Sequence, residues 1–323
     1  SWYHQGVVDP PEPGETVSNQ LAEALANYMN FLIDKKTSGE IPGNVKLLSP
    51  AFNISNAATP PLFAAMETAG ADFGGLDGFA GNTYTLEDGG LKTAYFWYTE
   101  FLQSKVKQYA KPMFFTEFGD FRTAAQPKDN RAGLIAEMKT EFDRVQKDGD
   151  IRAILYFAAI DSDLSNPSFS FHRLTGAELA QIISPNRAKA GASSGLPVDG
   201  NGAYADAVKA GNLKWSMEIA YSRDGSQTVI NAFNRALDQG LTPVLRICAG
   251  SSCDFSDPQV YAQFLKTVAA GLNGRTFWAI AGPNEPEREQ WVLANSGQDL
   301  LPGQPDWITL LGPIRKLIPK EIL

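Results

Sequence analysis

Eight strand candidates, most of them short apolar runs, lie near residues 46, 75, 114, 156, 197, 217, 245 and 279, and most stretches between them carry helical periodicity. No other feature restricts the fold so much. A short run of aliphatic and aromatic residues with little polar alternation suits a strand covered on both faces, and such strands belong to parallel sheets whose connections are helices. Eight strand and helix units make one closed (β/α)8 barrel, which takes roughly 250 residues. The 323 residues are enough to build it as a single domain. In such a barrel the functional side chains gather at the C-terminal ends of the strands.

Taken in order, residues 1–15 are irregular and proline-rich, and a helix follows from Thr16 or Ser18 to before Gly39, with Leu21, Leu25, Tyr28, Met29 and Leu32 at helical spacing. Val45–Leu48 is a strand that exits through Ser49 to Asn53, and 61–69 a short helix. Phe73–Phe79 reads as a glycine-rich strand with Gly81–Thr85 as its loop, and Leu91–Tyr109 as one long helix. The run around Phe114, a helix over Arg131–Lys147 and a strand over Ala153–Ile160 complete the first half. In the second half, Thr175-x-x-Glu178 has the form of a capping box. Ala188–Ser194 (AKAGASS) is the most linker-like stretch. Strands are expected at Leu196–Val198, Trp215–Tyr221, Pro243–Cys248 and Phe277–Ala281, with helices at Tyr204–Ala210 and Val229–Gln239. Ser256-Asp257-Pro258 opens another helix reaching about Ala270, with proline in its first turn. Residues 292–323 form a proline-punctuated tail with one helix near Ile308–Leu317.

Two of these strands end on a glutamate. In TFWAIAGPNEPERE the apolar run stops at Gly282-Pro283 and gives way to Asn284-Glu285-Pro286. In KPMFFTEFGD, Glu117 stands between bulky apolar neighbours. Two carboxylates at strand ends, one beside an amide and one among aromatics, are the side chains a retaining glycosidase requires. Arg246 is a charged residue inside an apolar strand, PVLRICA, and a buried guanidinium needs a carboxylate partner. Glu287 and Glu289 read as solvated.

Asn284-Glu285-Pro286 and Thr116-Glu117-Phe118-Gly119 resemble, respectively, the fourth-strand acid/base and seventh-strand nucleophile motifs of the clan A glycoside hydrolases, which are TIM barrels. The order is reversed here, because the nucleophile-like motif comes first. A closed barrel has no first strand, however, and from the Glu285 strand through the chain ends the Glu117 strand is the third one on. The family's step is also three. The opposite assignment needs five. The resemblance therefore implies a circularly permuted TIM barrel with its termini in the loop after the strand equivalent to the fourth, so that both irregular ends (1–15 and 292–323) lie near the cleft.

The same resemblance implies site roles. Glu117 is the nucleophile and Glu285 the acid/base. Asn284 bonds the sugar 2-hydroxyl, Tyr84 donates to the nucleophile, and Arg246 orients it. The family often has His where Asn82 stands. It also commonly ends its last strand in a Trp that stacks on the sugar; AILYFAAID has none, which leaves Phe157 or Asp161 for that area. Asn53, Trp215, Glu218, Tyr221, Trp278 and Trp291 are polar or aromatic residues on or beyond strands. Of these, Trp278 is read as core, Asn53 as substrate-binding, and Trp291 as a cleft residue. The implied activity is double-displacement hydrolysis of a β-linked polysaccharide or oligosaccharide, without metal or cofactor. A non-catalytic glycan-binding barrel and a transglycosylase are the alternatives, and the presence of both carboxylates favours an enzyme.

Charge and cysteine content bound the partners. A net charge of −8 disfavours nucleic acid and suits a neutral carbohydrate, and no run of eighteen apolar residues suggests membrane insertion. Cys248 and Cys253 could close a C-x4-C disulfide in an exported protein or stand as separate thiols. With only His4 and His172 as histidines, a zinc site is not expected. The chain begins at Ser1 without a signal peptide, as a mature or a trimmed product would; a monomer at an extracellular, cell-surface or periplasmic location is expected.

Overall fold

The computed structural model describes residues 19–56, 59–87, 91–120, 131–157, 176–183, 189–193, 213–220, 225–247 and 258–282. Eight parallel strands close into a barrel: β1 (Val45–Asn53), β2 (Gly78–Glu87), β4 (Met113–Asp120), β5 (Ile151–Phe157), β6 (Ala190–Ser193), β7 (Trp215–Ala220), β8 (Thr242–Ile247) and β9 (Phe277–Ile280). Each pairs with the next in the chain, and β1 pairs with both β2 and β9, which closes the ring. A two-residue strand, β3 (Leu91–Lys92), runs antiparallel to the end of β2. The helices are α1 (Asn19–Thr37), α2 (Thr59–Thr68), α3 (Ala94–Trp97), α4 (Gln103–Tyr109), α5 (Arg131–Val145), α6 (Gly176–Ile183), α7 (Gly225–Asp238) and α8 (Pro258–Gly271). The fold is thus a TIM-type α/β barrel. Among the described residues, no helix is long and apolar enough to cross a membrane.

Two hydrophobic cores follow from the period-two alternation of the strands. Inside the barrel pack Leu48, Ala80, Phe114, Leu155, Trp215, Met217, Val244 and Ile280, with Trp278 against them. The Phe114 ring lies 4.4 Å from that of Trp278 and 5.5 Å from that of Trp215, so three aromatics fill one level of the lumen and Trp278 is a packing residue. Outside the barrel, alternate strand residues such as Phe79, Phe115, Tyr156, Leu245 and Phe277 meet the helices through Leu32, Phe63, Phe142, Phe233 and Leu265. This annular layer is where the amphipathic helices bury their apolar faces.

Several expected boundaries are corrected. Phe73–Gly75 is a 3-10 turn rather than the start of a strand. Asp72 caps it by accepting from Gly75 N at 2.9 Å, and a Cβ on Gly75 would fall 2.4 Å from the Asp72 carboxylate. The strand begins at Gly78 and runs through Gly81–Thr85, which is paired strand rather than loop. The expected long helix Leu91–Tyr109 starts only at Ala94, because Thr93 caps it by accepting from Phe96 N; a π-helical turn, Tyr98–Leu102, then separates α3 from α4.

The most instructive correction is β6, which lies inside the stretch read as a linker. At Gly191 there is no room for a side chain because β7 presses against it. A Cβ on Gly191 would stand 2.6 Å from Trp215 Cβ and 2.7 Å from its carbonyl oxygen. Such a strand is selected for close approach rather than hydrophobicity, and composition alone disguises it. Leu196–Val198, Tyr204–Ala210 and both terminal extensions lie outside the described residues.

Candidate active site

Glu117 would point the wrong way on a regular strand. Phe114 faces the lumen and Phe115 the helices, so strict alternation puts Thr116 in and Glu117 out. The register shows otherwise. On one side Gly81 pairs with Phe115 and Asn82 with Glu117; on the other Ile154 pairs with Phe115 and Tyr156 with Phe118. β4 therefore carries one extra residue, Thr116, a β-bulge that resets the alternation. Phe118 then faces the helices, and Glu117 turns into the barrel at its C-terminal end.

There the Glu117 carboxylate is nearly enclosed, at 4 % exposure, and is bound from two directions. Tyr84 Oη, from the end of β2, donates to one oxygen, and Arg246 Nη1, from β8, pairs with the other. β4 and β8 lie four steps apart either way around the eight-strand ring, so this ion pair spans the barrel mouth. A guanidinium in contact favours the ionised carboxylate, and the tyrosine hydroxyl fixes its plane. The result is an oriented anion with little water around it.

Two amides extend the polar row. Asn53, Asn82 and Glu117 are register partners on three adjacent strands. The Asn53 Oδ1 accepts from the Ser55 backbone N–H at 3.2 Å and its hydroxyl at 2.7 Å, while Asn82 Oδ1 accepts from Thr116 Oγ1 at 2.9 Å. β1 has a bulge of its own at Ser49-Pro50. Pro50 can give no ladder hydrogen bond there, and Ser49 Oγ accepts from Ala80 N at 2.9 Å instead. Gly282, just past β9, packs on this proline: a Cβ there would fall 2.8 Å from Pro50 Cγ.

The structure thus gathers Tyr84, Asn53, Glu117 and Arg246 at one end of the barrel. Phe157 is the last residue of β5 at the same end, and its side chain is outside the described set. Trp215 is a lumen residue on β7, and Glu218, buried at 1 % exposure, is on the opposite side of that strand by alternation. Asn284, Glu285, Trp291, Asp161, Tyr221, Cys248 and Cys253 lie outside the described residues. Sequence reasoning missed Thr116 as a bulge residue and Asn82 as its partner. No signal within β4 alone could have found them, because the extra residue shows only in the register against β2 and β5.

Comparison of the chain with protein-family models, with curated proteins and with solved structures finds no match in any of the three.

Proposed function

We propose that this barrel is a retaining glycoside hydrolase acting on β-linked polysaccharide or oligosaccharide, with Glu117 as nucleophile and Glu285 as acid/base. The observation that carries the reading is the state of Glu117: a buried carboxylate at a barrel mouth, ion-paired with Arg246 and accepting from Tyr84. A core salt bridge has no need of a bulge to aim it or of a third group to fix its plane. Both suit a nucleophile, which has to be held in one orientation toward the carbon it attacks.

The reaction proceeds in two displacements. A Glu117 oxygen forms a bond to the anomeric carbon as the glycosidic C–O bond breaks, and the Glu285 carboxyl proton passes to the departing oxygen. Glu285 then takes a proton from water, whose oxygen attacks the same carbon and expels Glu117. Arg246 and Tyr84 hold the carboxylate through its change from anion to ester. Asn284 and Asn53 bind sugar hydroxyls. In the closed ring the path from β9 through β1 and β2 reaches β4 in three steps, the family spacing between acid/base and nucleophile strands. This supports the permuted order.

The test is turnover of aryl β-glycosides and β-glucans by wild type, Glu117→Ala and Glu285→Ala, with and without azide. We expect both variants to lose activity. Azide should rescue Glu117→Ala with inversion and Glu285→Ala, on activated substrates, with retention. Glycan binding that survives both substitutions, without turnover by the wild type, would replace the enzyme by a binding module.

A further inference from the structure

The bulge that aims Glu117 has a cost: around Thr116 the regular ladder between β2 and β4 is interrupted, as the shift between Gly81/Phe115 and Asn82/Glu117 records. What spans the gap is a side-chain bond. Thr116 Oγ1, on the extra residue itself, donates to Asn82 Oδ1 at 2.9 Å, and Asn82 is the register partner of Glu117 on the neighbouring strand. Both side chains are fully buried, so the bond is made away from competing water. β2 also carries Tyr84, two residues on from Asn82, which donates to Glu117. One strand therefore holds the bulge at one point and the carboxylate at the next.

We infer that Asn82 and Thr116 form a positioning pair: their hydrogen bond pins the bulge and so sets the angle at which Glu117 meets Tyr84 and Arg246. The inference rests on the proposed function only for what Glu117 does; the aiming itself stands on geometry. Neither residue is assigned a contact with substrate. They act through Glu117. A slack bulge lets the strand relax toward regular alternation, which carries Glu117 away from the lumen. At Asn82 an apolar residue of similar size would fill the same space and leave the bulge unpinned.

The experiment uses the full chain labelled with 13Cζ-tyrosine, the Tyr84 resonance being assigned by its loss in Tyr84→Phe. Glu117→Gln gives the shift expected when the bond from Tyr84 loses its charged acceptor. We expect Thr116→Val and Asn82→Leu each to move the Tyr84 resonance toward the Glu117→Gln position, and Thr116→Ser, which keeps the hydroxyl, to leave it in place. Combining the two should cost less than the sum of the single losses, because the residues share the bond from Thr116 Oγ1 to Asn82 Oδ1. On an activated aryl β-glycoside, the first two variants should lose about tenfold or more in kcat with little change in KM, as expected when only an interaction of the transition state is lost.

A Tyr84 resonance that stays put in both variants, with only the melting temperature falling, would overturn the inference. So would equal damage from Thr116→Ser. A wild type that turns over no substrate, yet shows the Tyr84 shifts, would sustain the positioning pair and remove the hydrolase.

Discussion

Arg246→Leu is the perturbation whose cost can be worked most directly from the structure. Arg246 and Glu117 are 6 % and 5 % exposed in their side chains, on strands from opposite sides of the barrel. Removing the guanidinium leaves an anion in a site that water scarcely reaches, and breaking a buried pair in this way costs about 3 to 5 kcal/mol. Unfolding entropy for a chain of 323 residues is about 0.7 kcal/mol/K, at roughly 2.1 cal/mol/K per residue. The expected fall in melting temperature is therefore about 4 to 7 °C. Replacing both partners, Arg246→Leu with Glu117→Leu, removes the stranded charge, and such replacements are often neutral or stabilising by about 1 to 4 kcal/mol. Thermal and urea unfolding of the two single variants and the double would measure the coupling. A single-variant cost below about 1 kcal/mol, typical of exposed pairs, would show instead that the pair is solvated. A double variant as unstable as the sum of the singles would do the same.

Three further outcomes are expected. Gly191→Ala should destabilise by about 1 to 3 kcal/mol, the usual range for overpacking, because its Cβ collides with Trp215 backbone and Cβ atoms; Gly149→Ala, with nothing within 4 Å, is the control in the same melts. Tyr84→Phe should lower kcat/KM by about tenfold to a hundredfold, since a hydrogen bond to a charged group contributes about 1.5 to 3 kcal/mol, and unchanged hydrolysis would remove Tyr84 from the site. Tyr109 is pushed up to about 12, first by burial and then by its bond to Glu67. Its folded value stands above its unfolded value of about 10, so its contribution is intact below pH 10 and lost as pH rises toward 12. Over that window the wild type should lose stability faster than Tyr109→Phe, in urea midpoints measured at successive pH values.

Much of the fold was legible because burial on both faces leaves a plain mark. Val45–Leu48, Met113–Phe115, Ala153–Phe157 and Phe277–Ala281 are apolar runs that read as interior strands, and their alternation with helices pointed to a barrel. β6 was illegible for the opposite reason. Beside Trp215 there is no room for a side chain at Gly191, and a strand made of such small residues resembles a linker. The boundaries of β2 failed because Asn82, Thr83 and Thr85 are polar yet buried, which is how a strand end looks when it lines a site.

The convergence of Tyr84, Glu117 and Arg246 came from the family resemblance together with the rule that a charge in an apolar strand needs a partner. The bulge at Thr116 could not be read in the same way. Register is a property of two neighbouring strands, whereas sequence periodicity describes one at a time. Thr116 and Asn82 are 34 residues apart, and nothing local announces that they meet.

The most direct test of Glu117 as nucleophile is to trap it. The wild type would be incubated with a panel of 2,4-dinitrophenyl 2-deoxy-2-fluoro-β-glycosides and analysed by intact mass and peptide mapping. One sugar equivalent should be bound, carried by the peptide containing Glu117, with no adduct in Glu117→Gln. An adduct on another carboxylate, or labelling undiminished in Glu117→Gln, would contradict it.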